Sequence, residues 1–468
     1  MRNKNNISKN IHIIGAGIAG LTAGALLVKQ GYKVKIFEKE EIIGGRALSL
    51  DGDSLSLEKY KNILSKFCMN VPFSKPTLEE IFEKQMLQGY KLDLGYHAIG
   101  GGVFSNLNEI LSQLGEHIDI LESSVGLIKN NGYDFPFLSR TDKLKILPYI
   151  LRLLFTSEKT MKQLDRVSMT ETIKKYGKGK MKLILEIFSR TITTMNNLDY
   201  ISTGEMFRSQ RNLYKGSKPV GYPKNGLGSI HKKLLDYIIK NGGEIYLNTS
   251  VDKILIDKNR AIGIKTGNKE YFSDIVISNV PTYNLFSIVD EKYFPEEYVK
   301  NIKSLYGTGS LCAYYSLKKV DQSMVGKTFH FIERDVGVDG NDAVGMIDFM
   351  TASPKSGVAP QSDYLIQAYV ICTPKEARDT KKLQKLKEIL DKNLKKLIPD
   401  FYLQLNWVIY TAIWHLDGVA KTIDNVKPKI QTPISNLYLI GDCVKAPGIG
   451  INCAINSARA LLSVLSPK

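Results

Sequence analysis

The chain has 468 residues, a length that divides into about two or three folded units rather than one core. With 43% hydrophobic and 24% charged residues, and no low-complexity tract or internal repeat, its composition excludes a disordered or fibrous protein and suits a multidomain globular enzyme. Lys and Arg outnumber Asp and Glu by 64 to 47, a formal charge of +17, but the excess is spread along the chain, so compositional bias explains it as well as a basic face does, and no nucleic-acid partner is expected.

Five cysteines (Cys68, Cys312, Cys372, Cys443 and Cys453) include no C-x-x-C pair and do not cluster with the six histidines. They are expected to be reduced core thiols in a reducing compartment, with no metal site. Ile11 to Val28, after the basic start of Arg2, Lys4 and Lys9, imitates a signal peptide, but its glycines fall where a nucleotide-binding turn needs them. No other apolar run approaches the roughly 20 residues of a membrane span. The expectation is a cytoplasmic chain, attached to a membrane at most by its surface.

Ile11 to Ile14 is a short apolar run suited to a buried parallel strand, and Gly15-Ala16-Gly17-Ile18-Ala19-Gly20 follows at once. Gly15 permits the tight turn, Gly17 lets backbone approach a pyrophosphate, and Gly20 lets a helix of about Gly17 to Gln30 pack against the strand. The start of that helix, with Ile18 and Ala19, turns unpaired N–H groups and the positive dipole end toward the phosphates. Lys33 to Phe37 reads as a second strand ending in Glu38, beside Lys39, where an acid can accept ribose hydroxyls. Gly44-Gly45-Arg46 follows, two glycines exposing backbone N–H groups beside a guanidinium that can grip an anion. An ordinary turn with a surface arginine is the alternative.

From these residues onward the sequence resembles the flavin amine oxidase and phytoene desaturase superfamily, in which a G-G-R segment wraps the pyrophosphate of FAD. Asp93-Leu94-Gly95-Tyr96-His97 and Gly100-Gly101-Gly102 resemble the family's next segment. The resemblance puts His97 near the flavin as a candidate catalytic residue, against a structural role at a strand end. The intervening stretch, about Asp51 to Leu92, reads as a small helical excursion broken by Pro72 and Pro76. Ser105 to Tyr214 reads as helical. Within it Leu144 to Phe155 is apolar with basic edges, and Pro148 should kink it or start a new helix. A buried helix is the favoured reading there, and a monotopic membrane contact the alternative.

Gly221 to Ser229, then Gly242-Gly243 and a strand from Glu244 to Leu247, resemble the family's central segment. Val251 to Ile256, Ala261 to Thr266 and Glu270 to Phe272 read as a small antiparallel meander before a return strand from Asp274 to Ser278. The resemblance puts Val251 backbone against adenine. Strands at Leu311 to Leu317, Ala343 to Phe349 and Tyr364 to Ile371, with a charged helix from Lys375 to Leu397, suit a second domain.

Asn436 to Asp442 is a buried strand with Gly441-Asp442 at its carboxyl end, followed by Pro447-Gly448-Ile449-Gly450-Ile451-Asn452 and a helix from Cys453 to Leu465. It resembles the family's closing signature, which implies that Gly441, Asp442, Gly450, Ile451 and Asn452 serve the flavin. The S-G-G-C pattern of covalent flavin attachment is missing, so the FAD is expected to be noncovalent.

The implied fold is α/β, a Rossmann-type FAD-binding parallel sheet with an inserted α+β substrate-binding domain. Residues 1–104, 220–285 and 430–468 would form the first unit, and 105–219 and 286–429 the second, its helical part being 105–219. The branch looks most like phytoene desaturase-like and carotenoid isomerase-like proteins, which implies hydride transfer on a hydrophobic small molecule such as a polyisoprenoid. Two alternatives stand: an amine or protoporphyrinogen oxidase, with Trp407, Tyr410 and Trp414 as cage candidates, and a non-redox escort of prenylated proteins.

Overall fold

The computed structural model describes residues 9–213, 218–416 and 418–465; Arg2 and Lys4 of the basic start, and Tyr214, lie outside them. A five-stranded sheet brings together distant segments in the order Glu244–Tyr246, Lys33–Phe37, Asn10–Ile14, Ile275–Ser278 and Leu437–Leu439. Every pairing in it is parallel, so its strands need helical crossovers and burial on both faces. Accordingly Ile11, Ile13, Ile36, Val276 and Ile277 are almost wholly buried, each such side chain contributing roughly 1.5–3 kcal/mol. The helix Ile18–Lys29 is buried on all sides except Lys29, held between the sheet and the helices Gly228–Lys240 and Gly450–Leu465.

A second sheet has eight strands, in the order Met69–Lys75, Leu405–Ile413, Gly309–Leu317, Tyr364–Cys372, Ala343–Asp348, Lys327–Glu333, Ser124–Lys129 and Gly132–Asp134. All its pairings are antiparallel except that of Lys327–Glu333 with Ser124–Lys129. One face, with Leu311, Tyr315, Phe331 and Ile366, packs on the helix Thr380–Leu397. The opposite face, with Tyr314, Met346, Tyr369 and Trp407, packs with Leu94, Tyr222 and Ile187. The three-stranded meander Lys253–Asp257, Arg260–Thr266 and Lys269–Phe272 forms where the sequence predicts it.

Three sequence expectations need correction. The stretch from Asp51 to Leu92 does form the helices Leu57–Lys66 and Leu78–Glu83, but Met69–Lys75 between them is an edge strand of the large sheet. Its pairing with Leu405–Ile413 skips Val71 and Pro72, so the proline falls in an irregularity at a sheet edge, where its missing N–H costs little. The segment after Ser105 is not helical throughout: Ile120–Glu122, Ser124–Lys129 and Gly132–Asp134 are strands, the last two joined by the two-residue turn Asn130-Asn131. Leu144 to Phe155 belongs to one helix, Arg140–Phe155, that runs through Pro148, and only its Leu153 is buried. The core reading of that stretch does not hold.

Candidate flavin site

The carboxyl ends of the parallel strands open onto a cavity of about 750 Å³, within the roughly 300–1,000 Å³ of cofactor-sized sites. Gly15, Gly17, Ile18 and Ala19 reach it from the first turn, and Glu38 and Lys39 from the end of the second strand. Gly44, Gly45 and Arg46 line it, as do His97, Val251, Gly441, Asp442, Gly450 and Ile451. Segments more than 400 residues apart in sequence thus meet at one place.

Two of the residues singled out in the sequence stand behind its wall. Gly20 is held to glycine by packing, because a Cβ there would lie 2.1 Å from the Gly15 carbonyl oxygen. Asn452 turns its amide to the Gly100 carbonyl, 2.9 Å away.

The cavity's chemistry suits a dinucleotide with a pyrophosphate. Gly17 caps the helix Ile18–Lys29 with no side-chain hydrogen bond, so the first-turn N–H groups beside the cavity are not claimed by a cap. Gly15 holds φ of +97°, which favours glycine, and a Cβ on Gly17 would come within 2.9 Å of Asn279 Nδ2, so a side chain there would have to displace the Asn279 amide. The helix Gly450–Leu465 begins at the same cavity, adding a second positive dipole end. Glu38 is buried, and its carboxylate accepts from Ala16 N–H at 2.6 Å and Glu40 N–H at 3.0 Å. Burial raises its pKa, against the pull of those two bonds. The bonds fix the carboxylate at the cavity wall while leaving lone pairs for a hydroxyl donor.

Arg46 and Asp442 form an ion pair between the two halves of the site. Burial works against the Asp442 charge, but Arg46 and the Gly418 N–H at 3.1 Å overcome it and hold the carboxyl far below its usual range. Burial likewise opposes the Arg46 charge, and the facing carboxylate reverses that and raises the guanidinium above its ordinary value. Both groups stay charged at any working pH.

His97 is held by backbone. Its Nε2 lies 2.7 Å from the Leu94 carbonyl and 3.2 Å from that of Arg46, two acceptors that fix the proton on Nε2 and leave Nδ1 as the ring's acceptor. Burial lowers its pKa, only partly offset by Asp93, so the ring is neutral near pH 7.

Sequence reasoning missed several lining residues. Asn279 follows the strand Ile275–Ser278, where the rule for ligand contacts at strand ends would have found it. Tyr283 and His415 stack with ring centres 4.6 Å apart and also line the cavity, with Phe67, Cys68 and Leu416; no local pattern marks them. The three aromatics considered for an amine cage do not converge. Trp407 and Tyr410 point to opposite faces of their strand, each deeply buried, and Trp414 lies under the Arg378 guanidinium.

The chain is similar to a 1-hydroxycarotenoid 3,4-desaturase from a Flavobacterium species, 24% identical over 66% of this chain and 64% of that protein. It is also similar to the chloroplastic prolycopene isomerase of Daucus carota, at 22% identity over 96% of this chain and 80% of the relative. The first of these matches thus spans less than two thirds of the relative's length. Among solved structures, an oxidoreductase from Methanosarcina mazei superposes with a TM-score of 0.73 at 21% identity, covering 97% of this chain and all of that one. The family model of flavin containing amine oxidoreductases matches residues 18–460, so the chain belongs to that family of FAD-dependent oxidoreductases.

Proposed function

We propose that the protein acts by hydride transfer on a long apolar substrate, a polyisoprenoid or carotenoid precursor, which it desaturates, saturates or isomerises. The observation that carries this reading is a group of uncharged side chains in the cavity wall, beside Lys66 and the Arg46–Asp442 pair. These are Phe67, Cys68, Tyr283, His415 and Leu416. Burial lowers the pKa of His415 and pushes that of Tyr283 above its ordinary value, so both are neutral near pH 7. An apolar chain meets little desolvation cost at these side chains, whereas a cationic amine would lose hydration beside a carboxylate, Asp442, that Arg46 already neutralises. The desaturase and the isomerase to which the chain is similar, both carotenoid enzymes, support the same substrate class.

FAD, when bound, supplies the two-electron acceptor or donor. The chain's part is to hold it between Arg46, Asp442 and the two helix starts, to exclude water and to orient the polyene. For a desaturation, bound FAD would be the two-electron acceptor for the hydride, and the second hydrogen would leave as a proton. We assign that proton to His97 Nδ1, the acceptor that its tautomer leaves available.

Anaerobic incubation of the purified enzyme, oxidised and dithionite-reduced, with linear carotenoid precursors tests the reading. We expect a changed double-bond number or geometry in the recovered polyene, with flavin bleaching where the substrate is oxidised. Bleaching by amines or porphyrinogens, with every polyene returned unchanged, would replace it by the oxidase reading.

A further inference from the structure

The helix Arg140–Phe155 is amphipathic in the wrong sense for a soluble surface. At 100° per residue, Leu144, Leu147, Pro148, Leu151, Leu154 and Phe155 fall on one arc of about 120°. That arc faces outward: Leu144 is 71% exposed and Phe155 83%, and Leu147, Leu151 and Leu154 are each exposed by more than 40%. The opposite side packs on the body through buried Leu153 and half-buried Ile146.

The helix is also held firmly in place. Ser139 and Asp142 form a capping box at its start, and Lys180 Nζ donates to Asp142 at 2.6 Å. At its end Arg211 Nε donates to the Leu153 carbonyl at 2.9 Å. A contiguous apolar face fixed outward on a protein of this composition marks an interaction site.

Charge selects the occupant. Lys143 flanks the apolar arc on one side, Lys145 and Arg152 on the other, and Arg140 stands at its amino-terminal end. All four side chains are exposed, and none has an ion-pair partner among the described residues. From Arg140 to Arg166 the chain carries seven basic and three acidic residues. Apolar side chains flanked by unpaired cations suit a bilayer interface with anionic headgroups, where the apolar face enters the acyl boundary and the cations stay among the phosphates. No helix among the described residues is long and apolar enough to cross a membrane. We propose that Arg140–Phe155 is an in-plane docking helix for anionic lipid bilayers. The inference rests on this surface and not on the identity of the substrate.

Flotation of the FAD-loaded protein with phosphatidylcholine vesicles, and with vesicles of equal parts phosphatidylcholine and phosphatidylglycerol, tests it. We expect flotation with the anionic vesicles that weakens as salt is added, and little with phosphatidylcholine alone. Leu151→Ser/Phe155→Ser should lower the partition coefficient about tenfold or more, with the flavin spectrum retained. Lys143→Gln/Lys145→Gln/Arg152→Gln, which alters only exposed charges, should remove the preference for anionic vesicles. A parent that stays unbound to both vesicles, or variants that float as it does, would overturn the proposal. So would a dimer in light scattering that Leu151→Ser/Phe155→Ser converts to monomer, since the face would then belong to a second copy of the chain.

Discussion

Gly20→Ala will weaken FAD binding by about 100-fold or more, although alanine is the better helix former. Intrinsic propensity favours the change by about 1 kcal/mol. Against it stands a Cβ placed 2.1 Å from the Gly15 carbonyl oxygen and 3.2 Å from Asn279 Nδ2. The first neighbour is backbone, in the turn that lines the cavity, so no side chain can swing away to relieve the overlap. The helix start or the turn must move by on the order of 1 Å, enough to cost about 100-fold where binding depends on placement. Overpacking of this kind also destabilises by about 1–3 kcal/mol, more than the propensity gain returns. Equilibrium dialysis with FAD measures the effect. An affinity within about threefold of the parent's would mean that helix and turn do not pack as described.

The ion pair between Arg46 and Asp442 gives the second large effect. Removing one member of a buried pair costs roughly 3–5 kcal/mol, because the other is left charged and unpaired. Here the side chains are 22% and 11% exposed, so water compensates in part and Asp442→Ala should destabilise the apoprotein by about 2–3 kcal/mol. Arg46→Met/Asp442→Leu, which removes both charges and keeps volume, should recover stability to within about 1 kcal/mol. It should not recover FAD binding, since the cationic group that lines the cavity beside the Gly44-Gly45 turn is gone. Urea unfolding of the apoproteins and FAD titration separate the two roles. A double variant as unstable as Asp442→Ala would mean that the ion pair is not what stabilises the site, and one that binds FAD like the parent would remove the pair from the cofactor's contacts.

The parallel sheet was legible because its signals are local. Ile11 to Gly20 packs a strand, a turn and a helix start into ten residues, and the strand Leu437–Leu439 ends beside its own glycines and acid. Each needs only the residues next to it. The large sheet was less legible because its edge strands are made by distant partners. Met69–Lys75 contains a proline that argues against a strand, and the pairing with Leu405–Ile413 tolerates it only by skipping two residues.

The same distinction runs through the site. Glycine turns and Arg46 announce themselves by spacing, whereas Tyr283 and His415 meet only in the folded chain, 132 positions apart. Leu144 to Phe155 was misread for a different reason. An apolar stripe has the same sequence period whether it faces a core or a membrane, and only its exposure in the folded chain tells the two apart.

The most direct test of the central claim, that both ends of the chain build one noncovalent FAD site, is the visible spectrum of the purified protein before and after acid precipitation. A yellow protein whose flavin passes into the supernatant as FAD is the expected result. A preparation that is colourless and takes up no added FAD would contradict the site, and flavin left in the pellet would contradict its noncovalent attachment.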